Sequence, residues 1–346
     1  MVTSYAYFRL PYADSYTLIS SSRPALVIDR LEDLGTQSGF VLAPFREAGS
    51  ARALLIRPDE ISSREILSSD TSRTLGSDAP SDSMVDERYS AAFEAYHSAV
   101  SDGSFRKLVL ARSKAVTLPF TIEVQDPESS RSLFEKACRM YPRLMVMLYH
   151  TPESGAWLVA SPEILLDSTG HSMHTVALAG TMPFTEGHIQ WSEKNKHEQH
   201  VVEQYIENVL TDSSDNLVKD GPVTSRAGDL VHLRTDFRFH LREGVTLGSL
   251  VLRLHPTPAV CGMPKKEAAA FIAEHEGLDR SYYSGFAGPV GINSQTHLYV
   301  ALRCAHLISP QQAVLYAGGG IMPDSDCRSE WLETESKFKT IRNVLQ

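Results

Sequence analysis

Three charged residues near the end of the chain lie where an apolar helix face is expected. After a glycine run, Glu330, Glu333 and Lys337 recur at steps of three and four residues. Ile341 and Val344 continue the same stripe, so the two carboxylates should point toward the interior or the floor of a cleft. Like charges at this spacing repel each other, and burial raises the cost unless a cation is present. A solvent-exposed face with a local Glu333–Lys337 ion pair is the simpler structural alternative.

A further carboxylate, Glu198, occupies the same kind of position in the segment 192–210. The periodicity predicts an amphipathic helix there, and Glu198 shares its apolar stripe with Val201, Val202, Tyr205, Ile206 and Val209. A negative charge near a helix N-terminus is favourable by itself, so a purely structural role is also open. Carboxylates from two helices that converge on one divalent cation would explain both patterns. Ligation by oxygen alone favours Mg²⁺, which often takes further oxygens from water and substrate.

Three more charges interrupt apolar strands. Lys107 opens KLVLAR, Arg303 lies within YVALRCAHL, and Glu163 follows Ser-Pro and leads into ILL. Each could be a strand-end charge that reaches solvent. In a buried site, desolvation lowers the pKa of a lysine so that it can serve as a base, and raises the pKa of a carboxyl so that it can serve as an acid. Because arginine in a cleft commonly binds a carboxylate, this inventory fits acid–base chemistry on a small polyanion.

The elements that must position these groups are mostly short strands, and the whole first 60 residues are of this kind. Further strands are expected over 105–116, 144–150, 155–161, 286–292, 297–308 and 313–318, with two more between 161 and 181. Helical spacing predicts helices over 86–100, 130–142, 192–210, 265–276 and 328–344. The Ser- and Asp-rich segment 61–85 is expected to be a surface loop. Hairpin-like connections favour a mixed or antiparallel sheet covered by helices, in a single domain.

The composition excludes several classes of protein. The chain has 346 residues, of which 42% are apolar and 22% charged, with a formal net charge of −9. This charge argues against general binding to nucleic acid or to anionic membranes. The four cysteines lack metal-ligand spacing, so neither a disulfide framework nor a zinc site is expected. Neither a signal peptide nor an apolar run long enough to span a membrane is visible, so a cytoplasmic location is expected.

A series of longer motifs occupies most of residues 105–346, whereas residues 1–100 carry little comparable signal. In chain order the motifs are KLVLAR (107–112), SPEILL (161–166), ALAGT (177–181), SEKNKHEQHVVEQYI (192–206), LHPTPAVCGMP (254–264), DRSYYSGFAGPVG (279–291), LYVALRC (298–304) and AGGGIMPDSDCRSEWLETESK (317–337). This set resembles the chorismate-utilising enzymes, and within that family the isochorismate synthases. Each motif is weak alone, but the ordered set is specific. The resemblance predicts one chorismate-binding catalytic domain over residues 1–346, with a divergent N-terminal portion.

The resemblance also implies a fold and a set of roles. The fold would be α/β (α+β), with a large, mainly antiparallel β-sheet core in a layered α-β-β-α sandwich. Glu198 and Glu333 would hold Mg²⁺ against the ring carboxylate of chorismate, with Glu330 close by or acting through water. Lys107 would activate water for attack at ring carbon 2, and Glu163 would protonate the hydroxyl that leaves carbon 4. The resemblance assigns substrate binding to Gly180, Thr181, His255, Ala259, Tyr283, Arg303, Gly318, Gly319 and Lys337.

Two positions bear on the nucleophile and the product. Ammonia-using relatives generally lack the lysine found here at 107, and aminodeoxychorismate synthases carry a nucleophilic lysine where this chain has Ala179. Water is therefore the expected nucleophile, as in an isomerase of the hydroxymutase type. Salicylate synthases tend to carry threonine where this chain has Ala259, so salicylate synthase is the alternative and a non-catalytic chorismate-binding protein a third possibility. A monomer is expected, and the product could serve menaquinone or catechol siderophore synthesis.

Overall fold

The computed structural model describes residues 2–46, 51–66, 84–187 and 189–346. The α-helices in these ranges are α1 (Glu87–Ser101), α2 (Pro127–Met140), α3 (Glu193–Ser213), α4 (Leu247–Leu254), α5 (Lys265–His275) and α6 (Cys327–Leu345). The strands are β1 (Ser4–Arg9), β2 (Ser15–Ser21), β3 (Leu26–Val27), β4 (Gly39–Ala43), β5 (Leu54–Ile56), β6 (Glu60–Glu65), β7 (Lys107–Thr117), β8 (Met145–Thr151), β9 (Gly155–Ser161), β10 (Ile164–Thr169), β11 (Ser172–Pro183), β12 (Ser214–Ala227), β13 (Leu230–Leu241), β14 (Gly262–Met263), β15 (Phe286–Val290), β16 (Gln295–Val300), β17 (Cys304–Ser309) and β18 (Gln312–Ile321).

These strands form two sheets of nine strands each. The first sheet has the order β14-β7-β18-β17-β9-β8-β1-β2-β6, and the second has the order β12-β13-β11-β10-β16-β15-β4-β5-β3. Every described pairing is antiparallel. The prediction of a large, mainly antiparallel sheet core is therefore confirmed.

The apolar side chains divide the molecule into four layers. Between the sheets, Phe8, Met147 and Trp157 of the first sheet belong to the same buried cluster as Phe40 and Tyr299 of the second. Helices α2 and α6 cover the outer face of the first sheet, while α3 and α4 cover that of the second. Helices α1 and α5 pack at the β7 edge. Burial of each large apolar side chain stabilises the folded state by about 1.5 to 3 kcal/mol. The order of the layers is helix, sheet, sheet, helix, which is the predicted α-β-β-α sandwich.

The two helices with carboxylates on their apolar faces start at capping side chains. The Ser192 hydroxyl accepts a hydrogen bond from the Asn195 N–H at the start of α3, and the Asp326 carboxylate accepts one from the Ser329 N–H at the start of α6. Loss of such a cap typically costs about 1 kcal/mol. Both helices agree with the segments predicted from periodicity, within three residues at each end.

The apolar run 297–308 is two strands, not the single strand that its composition predicts. Strand β16 pairs with β10 and β15 in the second sheet, whereas β17 pairs with β9 and β18 in the first. The chain crosses between the sheets at Ala301, Leu302 and Arg303, and Arg303 has a positive φ of 47°. A continuous apolar run cannot reveal this break, because a strand buried in either sheet has the same composition. The crossover is what carries Arg303 to the space between the sheets.

Other differences lie outside the strongest motifs. Residues Glu60–Glu65 form edge strand β6, so the predicted loop over 61–85 is wrong at its start; the part from 67 to 83 lies outside the described residues. The long hairpin of β12 and β13 and the short helix α4 were not predicted. The exposed face of β12 and the shortness of α4 leave little periodicity to detect. Helix α2 begins earlier than predicted, because Asp126 caps it and Pro127 takes its first position.

Two further properties concern the whole of the described chain. The four cysteines are free, and Cys138, Cys261 and Cys304 are buried. Within the described ranges, no helix combines the length and the apolar character needed to cross a membrane.

Candidate active site

A cavity of about 630 Å³, which opens to solvent, lies where both sheets meet α3 and α6; we call it the central cavity. Its walls come from β7 and β18 of the first sheet, from β11 and β13 of the second, and from the crossover between β16 and β17. Small-molecule sites commonly combine apolar walls with a few polar groups, as this one does. Of the residues predicted from sequence, the cavity is lined by Glu163, Gly180, Thr181, Glu198, Ala259, Tyr283, Arg303, Gly318, Gly319 and Lys337.

The three carboxylates predicted to bind metal approach the glycine run at the end of β18. A Cβ atom added to Gly319 would lie 3.0 Å from Glu330 Oε2 and 3.6 Å from Glu333 Oε1. One added to Gly320 would collide with Glu198. Helices α3 and α6 thus bring carboxylates from residues more than a hundred positions apart in sequence to neighbouring points of one strand. The absence of a side chain at Gly319 and Gly320 leaves room for these carboxylates to approach the strand.

Lys107 is the counterion of Glu198. Its side chain is fully buried, and its Nζ lies 2.9 Å from Glu198 Oε1. The ammonium makes no well-directed hydrogen bond to any described residue, so the contact is an ion pair. Burial by itself raises the pKa of Glu198, but Lys107, and then Lys194 and Lys337, more than offset this and hold it below its usual value. Lys107 does not line the central cavity and lies behind Glu198.

The other two carboxylates also face lysines. Glu330 is buried. Its Oε1 contacts Lys194 and accepts a hydrogen bond from the Ser325 hydroxyl at 2.7 Å. Lys337 donates to Glu333 Oε1 at 2.7 Å, which is the local ion pair that the sequence allowed, but it forms beside the cavity. Burial and then the charge of Glu333 raise the pKa of Glu330 to about 7. Each of the three glutamates thus has a lysine beside it: Lys107 at Glu198, Lys194 at Glu330 and Lys337 at Glu333.

These residues suit a divalent cation by their chemistry. All three candidates donate carboxylate oxygen, the ligand type that Mg²⁺ prefers. Glu330 Oε2 is buried without a hydrogen-bond partner among the described residues. With the side chains as they lie, no three His, Cys, Asp or Glu side chains in the described ranges are grouped to hold one ion. The donor types therefore suit Mg²⁺, while in this structure each carboxylate is engaged with a lysine.

The environment of Glu163 differs from that of the three glutamates that contact lysines. It follows β9, has 3% of its surface exposed, and accepts a hydrogen bond at Oε1 from the Thr257 hydroxyl at 3.2 Å. Its backbone is held in the second sheet, where Val300 N–H donates to Glu163 O at 3.0 Å. Burial raises the pKa of Glu163 to about 7, although Thr257, Lys107 and Lys337 act in the other direction. A carboxyl with such a pKa can donate a proton near neutrality.

Arg303 and Tyr283 form another part of the cavity wall. Arg303 is 5% exposed, and burial lowers its pKa to about 10. Its Nη1 donates to Ala227 O at 2.8 Å, and no described carboxylate forms an ion pair with it. The Tyr283 ring stacks on Tyr316 with 5.5 Å between centroids, and a Cβ on Gly318 would lie 2.9 Å from its hydroxyl. A buried guanidinium without a counterion is a prepared site for an anion.

His255 is not brought to the cavity, although the resemblance implied that it would lie beside the ring pocket. Its Nε2 lies 3.0 Å from Pro44 O, and its ring packs edge-on against Phe286. Burial lowers the pKa of His255 to about 4. The neighbouring Ala259 does line the cavity, and Thr257 contacts the cavity residue Glu163 through its hydroxyl.

Comparison with known proteins identifies the family of the chain. The family model described as "Chorismate binding enzyme" matches residues 53–346. The chain belongs to the chorismate-binding enzyme family. The match begins well before the first quoted motif, so it includes α1 and part of the N-terminal region of this chorismate-binding enzyme.

Individual relatives carry related names. A protein of Mycobacterium tuberculosis provisionally named isochorismate synthase MenF is 34% identical over 265 residues, which are 71% of this chain and 69% of that protein. Isochorismate synthase EntC of Escherichia coli is 32% identical over 69% of this chain and 62% of its own length. The solved structure of MenF, the menaquinone-specific isochorismate synthase from Escherichia coli, superposes with a TM-score of 0.77 at 22% identity, covering 99% of this chain and 89% of that one. This last likeness shows the shared fold.

Two residues of this chorismate-binding enzyme's site were missed by sequence reasoning. Lys194 lies one turn before Glu198 and contacts Glu330, and helical spacing could have indicated it. His232 lines the cavity from β13, within a strand that was not predicted. The alternation of apolar and polar residues from Leu230 to Leu241 carried the signal for that strand, and His232 lies on its polar face.

Gly319→Ala should remove most activity without unfolding this chorismate-binding enzyme. The added methyl group would lie 3.0 Å from Glu330 Oε2, so this carboxylate must move by a few tenths of an ångström. Misplacement of a reactive group by about 1 Å can cost about 100-fold in rate, and for this smaller shift we expect kcat/KM to fall by about 10- to 100-fold. Thermal unfolding and steady-state kinetics measured together test this. Wild-type kinetics with a small drop in Tm would contradict a functional cluster at this point.

Proposed function

We propose that this protein is an isochorismate synthase, which converts chorismate reversibly to isochorismate. The observation that supports this most is the central cavity itself. It combines two cations, Arg303 and Lys337, with a buried carboxyl, Glu163, whose pKa is raised. Two cations suit the two carboxylates of chorismate, and a protonated carboxyl suits a reaction that must expel a hydroxyl group. The names of the relatives described above agree with this assignment.

The substrate would lie with its two carboxylates at different parts of the cavity. Arg303 and Tyr283 would bind the enolpyruvyl carboxylate, together with backbone N–H groups near Gly318. The ring carboxylate would face Lys337 and the glutamate cluster. Gly180, Thr181 and Ala259 would form the wall against the ring. This arrangement fixes the ring so that the acid and the base can act at different carbons.

The glutamate cluster would hold Mg²⁺ through Glu198, Glu330 and Glu333. When bound, the ion would neutralise the ring carboxylate. It would also provide Glu198 with the positive charge that Lys107 provides in this structure. This proposal is supported by the all-oxygen donor set and by the unpartnered Glu330 Oε2. It also explains why three acidic side chains from two helices are directed at one glycine run.

The proposed reaction exchanges one water for another. Water attacks ring carbon 2, the ring double bonds shift, and the carbon–oxygen bond at carbon 4 breaks. Lys107 takes the proton that the attacking water loses, and Glu163 gives a proton to the hydroxyl that leaves as water. Since Lys107 lies behind Glu198, this role requires Glu198 to release the amine. The bonds broken and formed are alike, so the reaction should be reversible and nearly thermoneutral.

Product analysis tests the proposal directly. Purified protein incubated with chorismate and Mg²⁺ should produce isochorismate, and isochorismate supplied instead should return chorismate. Salicylate and pyruvate formed at the rate of chorismate loss would select the salicylate synthase alternative. Chorismate that binds without turnover, at any pH or Mg²⁺ concentration, would contradict the proposal and favour a non-catalytic binding protein.

Removal of divalent metal should abolish turnover. With a chelator in excess, we expect no isochorismate, and Mg²⁺ added beyond the chelator should restore the rate. Mg²⁺ alone should also raise Tm, since a ligand at 100 times its Kd stabilises the folded state by about 2.7 kcal/mol. Glu333→Gln should lose this Tm response, whereas Glu153→Gln, an exposed control, should keep it. Full activity in chelator would contradict the metal site.

A further inference from the structure

His232 connects two walls of the central cavity. It lies on β13, is 6% exposed, and lines the cavity. Its Nδ1 is 2.9 Å from Gly180 O on β11, and its Nε2 is 2.6 Å from Arg303 Nη2 at the crossover between the sheets. The imidazole therefore has hydrogen-bond partners at both nitrogens.

These two partners determine the tautomer of the ring. Gly180 O can only accept, so Nδ1 must carry the hydrogen; the guanidinium of Arg303 can only donate, so Nε2 must accept. The ring is thus neutral with its proton on Nδ1. Burial, then Arg303 and then Lys337 lower the pKa of His232 well below its usual value, in agreement with this state. The Thr181 hydroxyl, 3.4 Å from Nδ1, is the other polar group near the ring.

Arg303 needs such an acceptor because its guanidinium is buried. It is the last residue of the crossover between β16 and β17, in a left-handed conformation with φ of 47°. Its guanidinium is held at Nη1 by Ala227 O and at Nη2 by His232. Loss of either acceptor would leave a buried N–H without a partner, and hydrogen bonds to charged groups are among the stronger ones.

We propose that His232 is a positioning residue that holds the Arg303 guanidinium in the orientation that receives a substrate carboxylate. This inference rests on the proposed function, in which Arg303 binds the enolpyruvyl carboxylate of chorismate. A direct proton-transfer role does not fit, because both ring nitrogens are occupied by protein partners. The bond to Gly180 O orients the ring so that its Nε2 lone pair faces Arg303.

Two substitutions of His232 separate these two contacts. Glutamine places an acceptor at about the position of Nε2 and can keep the bond to Arg303, while it loses the donor to Gly180. Asparagine places a donor at about the position of Nδ1 and can keep the bond to Gly180, while it loses the acceptor for Arg303. Leucine removes both. His306→Gln, at a partly buried histidine that stacks on Trp157, is the matched control outside the cavity.

The expected results follow from the proposed role. His232→Leu and His232→Asn should raise KM for chorismate by about 10- to 100-fold with little change in kcat, and His232→Gln should remain close to wild type. In an Arg303→Gln background, His232→Asn should have no further effect on KM, since residues that act through one contact are not additive. Tm measured for every variant separates these effects from a loss of folded protein.

Other results would overturn the inference. If asparagine but not glutamine preserves the wild-type KM, the effect of His232 comes from its bond to Gly180. Equal losses in all three variants would show that His232 has a merely structural role. An additive effect in the Arg303→Gln background would show the same. These outcomes apply where wild-type enzyme turns over chorismate. If wild-type protein neither binds nor converts chorismate, the proposed function fails and this inference fails with it.

Discussion

Replacing Glu163 by glutamine is expected to lower kcat by about 10²- to 10⁴-fold, the usual contribution of a general acid. Glutamine has nearly the same shape and can still accept the Thr257 hydrogen bond, but it has no proton to give. Wild-type kcat/KM should fall as the pH rises through about 7, because burial raises the pKa of Glu163 to about 7 and only the protonated acid is active. The residual activity of the variant should lack this decline.

The same substitution should stabilise the protein at high pH. Glu163 has its pKa raised in the folded state from 4.5 to about 7, so the wild type loses stability as the pH rises through that window. Glutamine avoids the cost of ionising a buried carboxyl, which is on the order of 3 kcal/mol above pH 7. Glu163→Gln should therefore exceed the wild type in Tm at pH 8 and match it near pH 4.

Unfolding and kinetics measured on one preparation test both effects of Glu163→Gln. Glu153→Gln is the matched control, because it makes the same chemical change at an exposed position and should alter neither activity nor the pH dependence of Tm. Wild-type turnover in Glu163→Gln would exclude Glu163 as the acid. A lower Tm at pH 8 would show that the carboxyl is ionised and stabilised in the folded protein.

Lys107→Ala is expected to reduce turnover by a similar factor of about 10²- to 10⁴-fold, since it removes the group proposed to activate water. Lys107 has no exposed surface and is the ion-pair partner of Glu198. Breaking a buried ion pair by removing one partner costs about 3 to 5 kcal/mol, so the variant should also unfold at a lower temperature. Lys107→Met, which keeps more of the side-chain volume, should fold better and be equally inactive.

Chemical rescue distinguishes a lost base from a disturbed site. The space left by Lys107→Ala should admit a small primary amine, which should restore part of the activity with a dependence on amine concentration. Lys114→Ala is the control on the same strand, since Lys114 is partly exposed and pairs with Glu335 away from the cavity. Full activity in Lys107→Ala would remove the proposed base.

Much of the scaffold could be predicted from local patterns. Helices α3 and α6 follow from the spacing of their apolar residues and from Ser192 and Asp326 as caps. Most strands follow from short apolar runs between turn residues. What could not be predicted is where one run divides, because Arg303 interrupts an apolar segment without any glycine or proline to mark the change of sheet. Edge strands such as β12 were also not predicted, because their exposed faces show no regular spacing of apolar residues.

The properties of the site also divide into those that local sequence patterns indicate and those that they do not. The stripes of α3 and α6 favoured an inward direction for Glu198, Glu330 and Glu333, although a solvent-exposed face remained the alternative. The partners of these groups were not predictable: Lys107 reaches Glu198 from a different layer. His232 lies on a strand that was not predicted, although apolar and polar residues alternate along it. His255 lies within a recognisable motif and yet faces Pro44 instead of the cavity.

By itself, then, the sequence indicated most of the helices and strands of this chorismate-binding enzyme, favoured an inward direction for its carboxylates, and carried a family resemblance in its ordered motifs. Only the tertiary structure decided which of these groups meet, which lysine neutralises which glutamate, and where Arg303 and His232 join the two sheets. The physical reason is that periodicity depends on neighbours a few residues away, whereas these contacts depend on how two nine-stranded sheets pack face to face.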